Sequence, residues 1–371
     1  MTRDRRFVFG LWITKKQRSR IPAFFWPAVS LACIACGCSF LICAPTARAQ
    51  STSATTWTVS IVLPPRLVAG QPATLAVLGV DGRLADGITV DVGKGQRVKT
   101  DKSGRAFFTA PADAAVLIAT AAGNSAAALI DASGAGAGEQ GSSVAPVVSQ
   151  VDRFSVCGGG FRGDVDANRV SINGERAFLL ASSPQCIVVL ASPRALPGPA
   201  KLAIETPGAQ WAAATTLASL HFDPPLPPLV PEKRSKLALH VQGTDQALRV
   251  WVVNQTPGVL RFLRGDRQEV LTSGGTQNSA EIEVQAIATG DFSFHGRILA
   301  APDAGIARRY FTAAESIAPK DLQHEVKNLA DRLTHHPDDT QKVWRETEEI
   351  LSTTMAGDFR TLMESAAAAL Q

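Results

Sequence analysis

Short segments that alternate apolar with polar residues, separated by turn residues, occupy most of the chain between residues 57 and 302. Successive side chains of a β-strand point to opposite faces, so a period of two predicts strands with one buried face. Short strands at regular spacing are typical of a β-sandwich. The sequence therefore predicts a mainly β protein built of tandem sandwiches, followed by a different pattern near the C-terminus.

The first predicted module covers residues 57–131, and its strand segments are 57–63, 73–78, 88–92 and 115–119. The dipeptides Asp81-Gly82 and Ser103-Gly104 mark turns between these segments. Together with the segments 70–73 and 100–108 and with Val90, they resemble bacterial immunoglobulin-like repeats of the invasin and carboxypeptidase-regulatory kind. That resemblance implies an immunoglobulin-like sandwich. Residues 132–145 are mostly Gly, Ala and Ser, which predicts a flexible linker after the module.

The second predicted module covers residues 146–222 and carries the most specific pattern in the chain. Its motifs are Gly160-Phe161, 168–174, Ala177, 187–189, Pro193, Pro197-Gly198, Ala203-Ile204 and Pro207-Gly208. They resemble the IPT/TIG family, whose immunoglobulin-like fold occurs in cell-surface receptors, adhesins and extracellular polysaccharide-active proteins. The Pro and Gly turn that usually precedes the family's second strand is absent, so the first strand is expected to be short or displaced.

Cysteine usage points to one disulfide. Four of the six cysteines lie in the first 49 residues, which leaves Cys157 and Cys186. Two cysteines in an oxidising compartment usually pair, and two buried free thiols are the alternative. The family resemblance places Cys157 at the end of the second strand and Cys186 at the start of a later strand in the opposite half of the sandwich.

A Pro-rich segment, 223–233, follows and predicts a semi-rigid hinge. Beyond it, period-two segments at 237–241, 248–253, 259–263, 280–287 and 292–298 predict a third β-sandwich or barrel over residues 234–302. This third module resembles no family that we recognise.

The C-terminal segment, residues 313–371, changes to the helical period and holds eleven acids against six bases. Its pattern predicts an acidic, amphipathic helical hairpin with an apolar stripe. The stripe is expected to pack against the partner helix or the preceding sandwich, or to bind another protein. The candidate partner-binding residues are Leu322, Val326, Leu329, Leu333 and Trp344.

Residues 1–49 have the composition of an export signal. Seven basic residues precede the uncharged run 21–47, and Ala47 and Ala49 are small residues at the positions that a signal peptidase requires. We expect cleavage after Ala49; the alternative is an uncleaved signal anchor that spans the membrane through residues 21–47.

The signal also holds most of the positive charge. It carries eight bases and one acid, so the net charge of +4 for the whole chain becomes about −3 for the exported part. With no basic groove among aromatic residues, the sequence excludes nucleic acid as the expected partner.

No motif predicts catalysis, a metal site or a cofactor. The six histidines lack ligand spacing, and a calcium-loop template at Asp164–Glu175 has Arg169 where a glycine is required. The sequence therefore predicts an exported, non-enzymatic protein for adhesion, scaffolding or binding, with a protein or a polysaccharide as partner.

Two alternatives are also consistent with the sequence. One is a polysaccharide-binding accessory or enzyme with a site in the third module, lined by His240, Trp251 and His295. The other is a subunit of an envelope assembly that docks through its C-terminal helices.

Overall fold

The structure is a computed structural model that describes residues 59–133, 142–223, 230, 232–263, 265 and 267–371. The predicted signal at 1–49 lies outside these residues. So do most of the predicted linker at 132–145 and most of the Pro-rich segment at 223–233. Across the described residues, no helix combines the length and the apolar character that crossing a membrane requires.

The first module is an immunoglobulin-like sandwich of two sheets with a core that includes Leu75, Phe108 and Leu117. β1, β3 and β6 lie in one sheet, and the other has the order β2-β8-β7-β4-β5. The strands are β1 (Ser60–Val62), β2 (Arg66–Val68), β3 (Pro72–Leu78), β4 (Thr89–Asp91), β5 (Arg97–Lys99), β6 (Arg105–Thr109), β7 (Val116–Ala121) and β8 (Asn124–Asp131).

The second module is also a two-sheet sandwich, with a core that includes Val156, Ile172 and Leu202. A short 3₁₀ helix, Val165–Ala167, follows its third strand. The strands are β9 (Ser142–Val144), β10 (Val147–Ser149), β11 (Phe154–Gly158), β12 (Arg169–Ile172), β13 (Glu175–Arg176), β14 (Phe178–Ser182), β15 (Cys186–Leu190), β16 (Gly198–Thr206) and β17 (Ala209–Phe222).

The predicted disulfide between Cys157 and Cys186 is present. Its predicted placement in opposite halves of the sandwich is wrong, because the two residues lie directly opposite each other on the antiparallel strands β11 and β15 of one sheet. Directly opposite residues bring their Cβ atoms within bonding reach, whereas packed sheets lie about 10 Å apart. The bond therefore links neighbouring strands.

The third module is built on β18 (Arg234–Gln242), β19 (Arg249–Asn254), β20 (Leu260–Phe262), β21 (Arg267–Leu271), β22 (Ser279–Ala286) and β23 (Phe294–Ile298). One sheet has the order β18-β22-β20 and the other has the order β21-β19-β23. The long strand β17 pairs with β16 in the second module and, through residues 219–222, with β18 in the third. One strand thus runs without interruption through both modules.

The first two modules pack edge to edge. Ser182 of β14 pairs with Thr74 of β3, and the Thr74 hydroxyl donates a hydrogen bond of 2.6 Å to the carbonyl of Gly163. An apolar cluster that includes Val62 and Leu180 closes the junction. Direct contact between these modules makes the junction a defined interface.

The C-terminal part contains four helices among the described residues: α1 (Ala304–Glu315), α2 (Gln323–His335), α3 (Thr340–Thr353) and α4 (Asp358–Leu370). The sequence predicted two helices starting near residue 313. It missed α1, whose first turn is capped by the Asp303 carboxylate accepting from the Ile306 amide at 2.9 Å. It also missed α4, although Phe359, Leu362, Met363, Ala366 and Leu370 recur at helical spacing and form its buried face.

The helices share a core with the first module. Leu129 of β8 is buried in the same cluster as Phe311 of α1 and Leu362 of α4. The Tyr310 hydroxyl donates to the carbonyl of Ala127 at 3.4 Å, and burial raises the pKa of Tyr310 to about 12. The helical segment therefore covers the outer face of β7 and β8.

An ion pair network fixes α1 to the same sheet. The buried Asp131 carboxylate accepts from Arg66 Nε at 2.9 Å and from Arg309 Nη1 at 2.6 Å. Arg309 Nη2 also donates to the carbonyl of Ile130 at 3.0 Å. One carboxylate at the end of β8 thus links β2 to the helices.

Candidate binding surface

The outer face of the sheet β21-β19-β23 is charged, with a tryptophan near its centre. Val250 and Val252 point into the core, so Trp251 between them points outward. Its cross-strand neighbours are Glu269 and Arg297, and Glu269 pairs with Arg249 at 2.7 Å. The period of two that predicted β19 also determines which side of the sheet carries Trp251.

Helix α3 lies beside this face. The rings of Trp251 and Trp344 meet edge to face, with centroids 6.1 Å apart and planes at 90°, an arrangement that aromatic pairs favour. Trp344 Nε1 is buried without a hydrogen-bond partner in the described part of the chain. A depression opens beside the two rings, lined by Arg267 and by Arg345, Glu348 and Glu349 of α3.

A second depression lies on the other sheet of the third module. Gln285 of β22 is directly opposite Arg234 of β18 on one side and Arg261 of β20 on the other. The three side chains therefore form one row across three strands, on the outer face. Arg261 donates through Nε and Nη2 to Gln285 Oε1 at 3.1 and 2.8 Å, and Gln285 Nε2 donates to the carbonyl of Glu232 at 2.9 Å.

Gly265 lines both depressions, because the chain crosses from one sheet to the other between β20 and β21. Gly265 has φ of +69°, and a Cβ built on it would meet no atom within 4 Å. We call the exposed area around it the Gly265 surface, defined by Arg234, Arg261, Gln285, Gly265, Arg267, Trp251 and Trp344.

The arginines of the Gly265 surface lack the ion pairs that Arg249 and Lys236 of the same module make. Arg249 pairs with Glu269 at 2.7 Å and Lys236 with Glu281 at 2.6 Å. In contrast, Arg234, Arg261 and Arg267 have no carboxylate of a described residue within 4.0 Å. Guanidinium groups without an internal anion are available to an anionic ligand.

The histidines of the third module line neither depression. His240 Nε2 is 2.9 Å and His221 Nε2 is 3.4 Å from the Asp223 carboxylate, on the sheet that contains Arg234. His295 lies on the other sheet, 3.7 Å from Asp152. Burial raises the pKa of Asp152, but the hydrogen bond and charge of His295 outweigh it and hold the pKa below its usual value.

The predicted cleft of His240, Trp251 and His295 is therefore not assembled. Trp251 and His295 share the outer face of one sheet, and His240 projects from the other. Among the described residues, no group of three His, Cys, Asp or Glu side chains could hold a metal ion. Asp164, from the calcium-loop template, caps the 3₁₀ helix instead by accepting from the Asp166 amide at 3.0 Å.

Most of the predicted partner-binding stripe lies inside the molecule. Val326, Leu329 and Leu333 are buried in the cluster that the helices share with the first module, and Leu322 and Trp344 are partly buried at its edge. Partner binding through the stripe stays a prediction. Sequence reasoning gave Arg234, Arg261 and Gln285 no role, because their common row depends on which strands pair.

No protein-family model matches the chain, and no curated protein matches it. Among solved structures, it is similar to the extracellular region of plexin A4, with 12% identity and a TM-score of 0.25 over 68% of this chain and 24% of that one. It is also similar to SGBP-B of the mixed-linkage glucan utilization locus of Bacteroides ovatus, in complex with a mixed-linkage heptasaccharide. The identity there is 11% and the TM-score 0.21, over 63% of this chain and 73% of that chain.

A third similar structure is the I9–I11 tandem of titin, with 8% identity and a TM-score of 0.17 over 65% of this chain and 95% of that one. This chain spans about a quarter of the length of the plexin chain. The fold class rests on the two-sheet modules of the structure.

Proposed function

We propose that this protein is an exported, non-enzymatic binding protein whose ligand contacts the Gly265 surface. The observation that carries the proposal is the combination of three arginines without an internal carboxylate and a pair of tryptophans around one open glycine. Exposed arginines that no carboxylate neutralises, grouped beside aromatic rings along a depression, mark a candidate recognition site for an anionic ligand.

The rest of the molecule supports this role as a frame. The β17 strand connects the second and third modules, and Ser182 and Thr74 pair across the first two. Helix α3 belongs to the cluster on the first module and also contacts Trp251 of the third. Binding groups mounted on such a frame lose little conformational entropy when a ligand binds.

Export rests on the predicted signal at 1–49 and on the disulfide, since disulfides persist in oxidising compartments. We further propose that the second module belongs to the IPT/TIG family, on the motifs quoted above. The alternative of assembly through the helices has less support, because Val326, Leu329 and Leu333 are occupied by internal packing.

The test is binding of the exported chain to intact cells and isolated envelope fractions of the producing organism. The variant is Gly265→Asn, because Asn tolerates a positive φ and places a side chain over the open surface. The control is Gly95→Asn, at φ of +75° with an equally open Cβ position in the first module. We expect Gly265→Asn alone to weaken binding about tenfold or more, the size of one lost strong contact.

Equal binding by both variants would contradict the assignment of the site. Absence of binding by the unchanged protein to every fraction would contradict the function itself.

A further inference from the structure

We infer that the ligand of the Gly265 surface is an acidic polysaccharide, with its anionic groups on the arginine row and its sugar rings beside the tryptophans. This inference rests on the proposed binding function and adds the chemical class of the ligand.

The arginine row is organised for planar anions. Gln285 accepts two hydrogen bonds from Arg261, at 3.1 and 2.8 Å, and its own amide is held by the Glu232 carbonyl. This fixes the guanidinium of Arg261 and leaves its remaining donors unpaired. Arg234 lies two strands away in the same row, about 10 Å between backbones at the usual strand spacing. Fixed guanidinium groups bind carboxylates and sulfates through two parallel hydrogen bonds.

The spacing of these groups favours a polymer. Arg234 and Arg261 lie on the outer face of one sheet, and Trp251 and Trp344 lie beyond Gly265, next to the other sheet. A small anion would reach only one side of Gly265. An extended chain that carries a charge on successive residues can contact the arginines, pass over the open glycine and continue to Arg267.

The tryptophans distinguish a polysaccharide from an acidic polypeptide. Indole rings offer broad, rigid apolar surface, which suits the C–H faces of sugar rings. Partly exposed Trp251 and Trp344 lie in the depression with Glu348 and Glu349, whose carboxylates can accept from sugar hydroxyls. An acidic polypeptide such as poly-glutamate carries the same charge but has no sugar rings to contact the tryptophans.

The experiment measures binding of the exported chain to polygalacturonate by titration calorimetry, with dextran, poly-glutamate and free sulfate as comparison probes. We expect binding to polygalacturonate, weakened by raising NaCl from 50 to 500 mM, and at least tenfold weaker binding to each comparison probe. The Arg234→Gln and Arg261→Gln variants should each weaken binding about tenfold or more, since each removes a charge-assisted contact.

The matched control is Lys236→Gln. Lys236 lies on the same strand and face as Arg234, two residues away, and is already paired with Glu281 at 2.6 Å. The Lys236→Gln substitution removes the same charge without changing the arginine row. The affinity of this variant for polygalacturonate should therefore change less than threefold, the range expected for a screened surface charge. An equal loss in Lys236→Gln and Arg234→Gln would show attraction by overall charge and overturn the inference.

Other outcomes separate the two proposals. Equal or tighter binding to dextran, with Gly265→Asn still defective, would overturn the acidic ligand and keep the site. Tighter binding to poly-glutamate would identify an acidic polypeptide and overturn the inference. Binding to cell envelopes without affinity for polygalacturonate, and without sensitivity to Arg234→Gln, would also overturn it while the binding function stands.

Discussion

Gly163→Ala should destabilise the junction between the first two modules. Gly163 is buried, and a Cβ on it would lie 3.0 Å from the backbone nitrogen of Ala73 and closer still to the carbonyl group of Pro72. Both neighbours are backbone atoms of β3, so no flexible side chain can move aside. The two backbones must separate, or the substituted turn must move away from β3.

The expected loss in the free energy of unfolding has two contributions, the strained contact and the hydrogen bond beside it. Overpacking a rigid contact costs about 1–3 kcal/mol. The Thr74 hydroxyl, which donates to the Gly163 carbonyl at 2.6 Å, would lose a buried hydrogen bond of about 1 kcal/mol. We therefore expect the free energy of unfolding to fall by about 2–4 kcal/mol, measured by urea denaturation with scanning calorimetry to resolve separate transitions.

Gly258→Ala is the matched control. Gly258 is exposed, no atom lies within 4 Å of its built Cβ, and neither glycine has a positive φ. A substitution of this kind usually stabilises a protein by about 0.4–1 kcal/mol, through the unfolded state. If Gly163→Ala were as stable as Gly258→Ala, the backbone contact between the modules would be refuted.

Three further predictions concern the links that hold the fold. Asp131→Ala should lower the unfolding free energy by about 2–3 kcal/mol, a smaller loss than breaking a fully buried ion pair causes, because the two arginine partners are partly exposed. The helical circular dichroism signal should then be lost at a lower urea concentration. A urea midpoint equal to that of the unchanged protein would contradict the link. Replacing Cys157 and Cys186 by alanine should lower the free energy of unfolding by about 2–5 kcal/mol, measured by urea denaturation. Intact-mass analysis of the unreduced, unchanged protein should show two hydrogens fewer than the thiol form, and a mass equal to the thiol form would contradict the disulfide. The pKa of Asp152 is lowered in the folded protein, so its pairing stabilises the fold above the ordinary carboxyl pKa, and this contribution disappears as the pH falls through the lower, folded value. Asp152→Asn should therefore flatten the dependence of the unfolding free energy on pH below about pH 4. An unchanged pH dependence would count against the pair of Asp152 with His295.

Local patterns predicted much of the secondary structure for physical reasons. The alternation in 248–253 predicted β19, because side chains of a strand alternate between faces. The spacing of Val326, Leu329 and Leu333 predicted helix α2. β21 was missed, because its sequence Arg-Gln-Glu-Val-Leu has too few apolar residues for a clear alternation.

The candidate site was less accessible to sequence reasoning. Arg234, Arg261 and Gln285 are separated by more than twenty residues from one another and carry no motif. They become neighbours only because β22 pairs with β18 on one side and β20 on the other, in one register. Trp344 meets Trp251 only because α3 reaches the third module.

The sequence by itself determined the mainly β class, the change to helices near the C-terminus and the disulfide partners, because each depends on local periodicity or on the number of cysteines available. The tertiary structure decided where the helices pack. Their apolar face and that of β7 and β8 are more than 170 residues apart in the chain, and Arg309 reaches Asp131 across that interval. Any buried apolar partner would satisfy such a face, since the hydrophobic effect has no direction. Only the shape of the sheet and the carboxylate at its end select the first module as that partner.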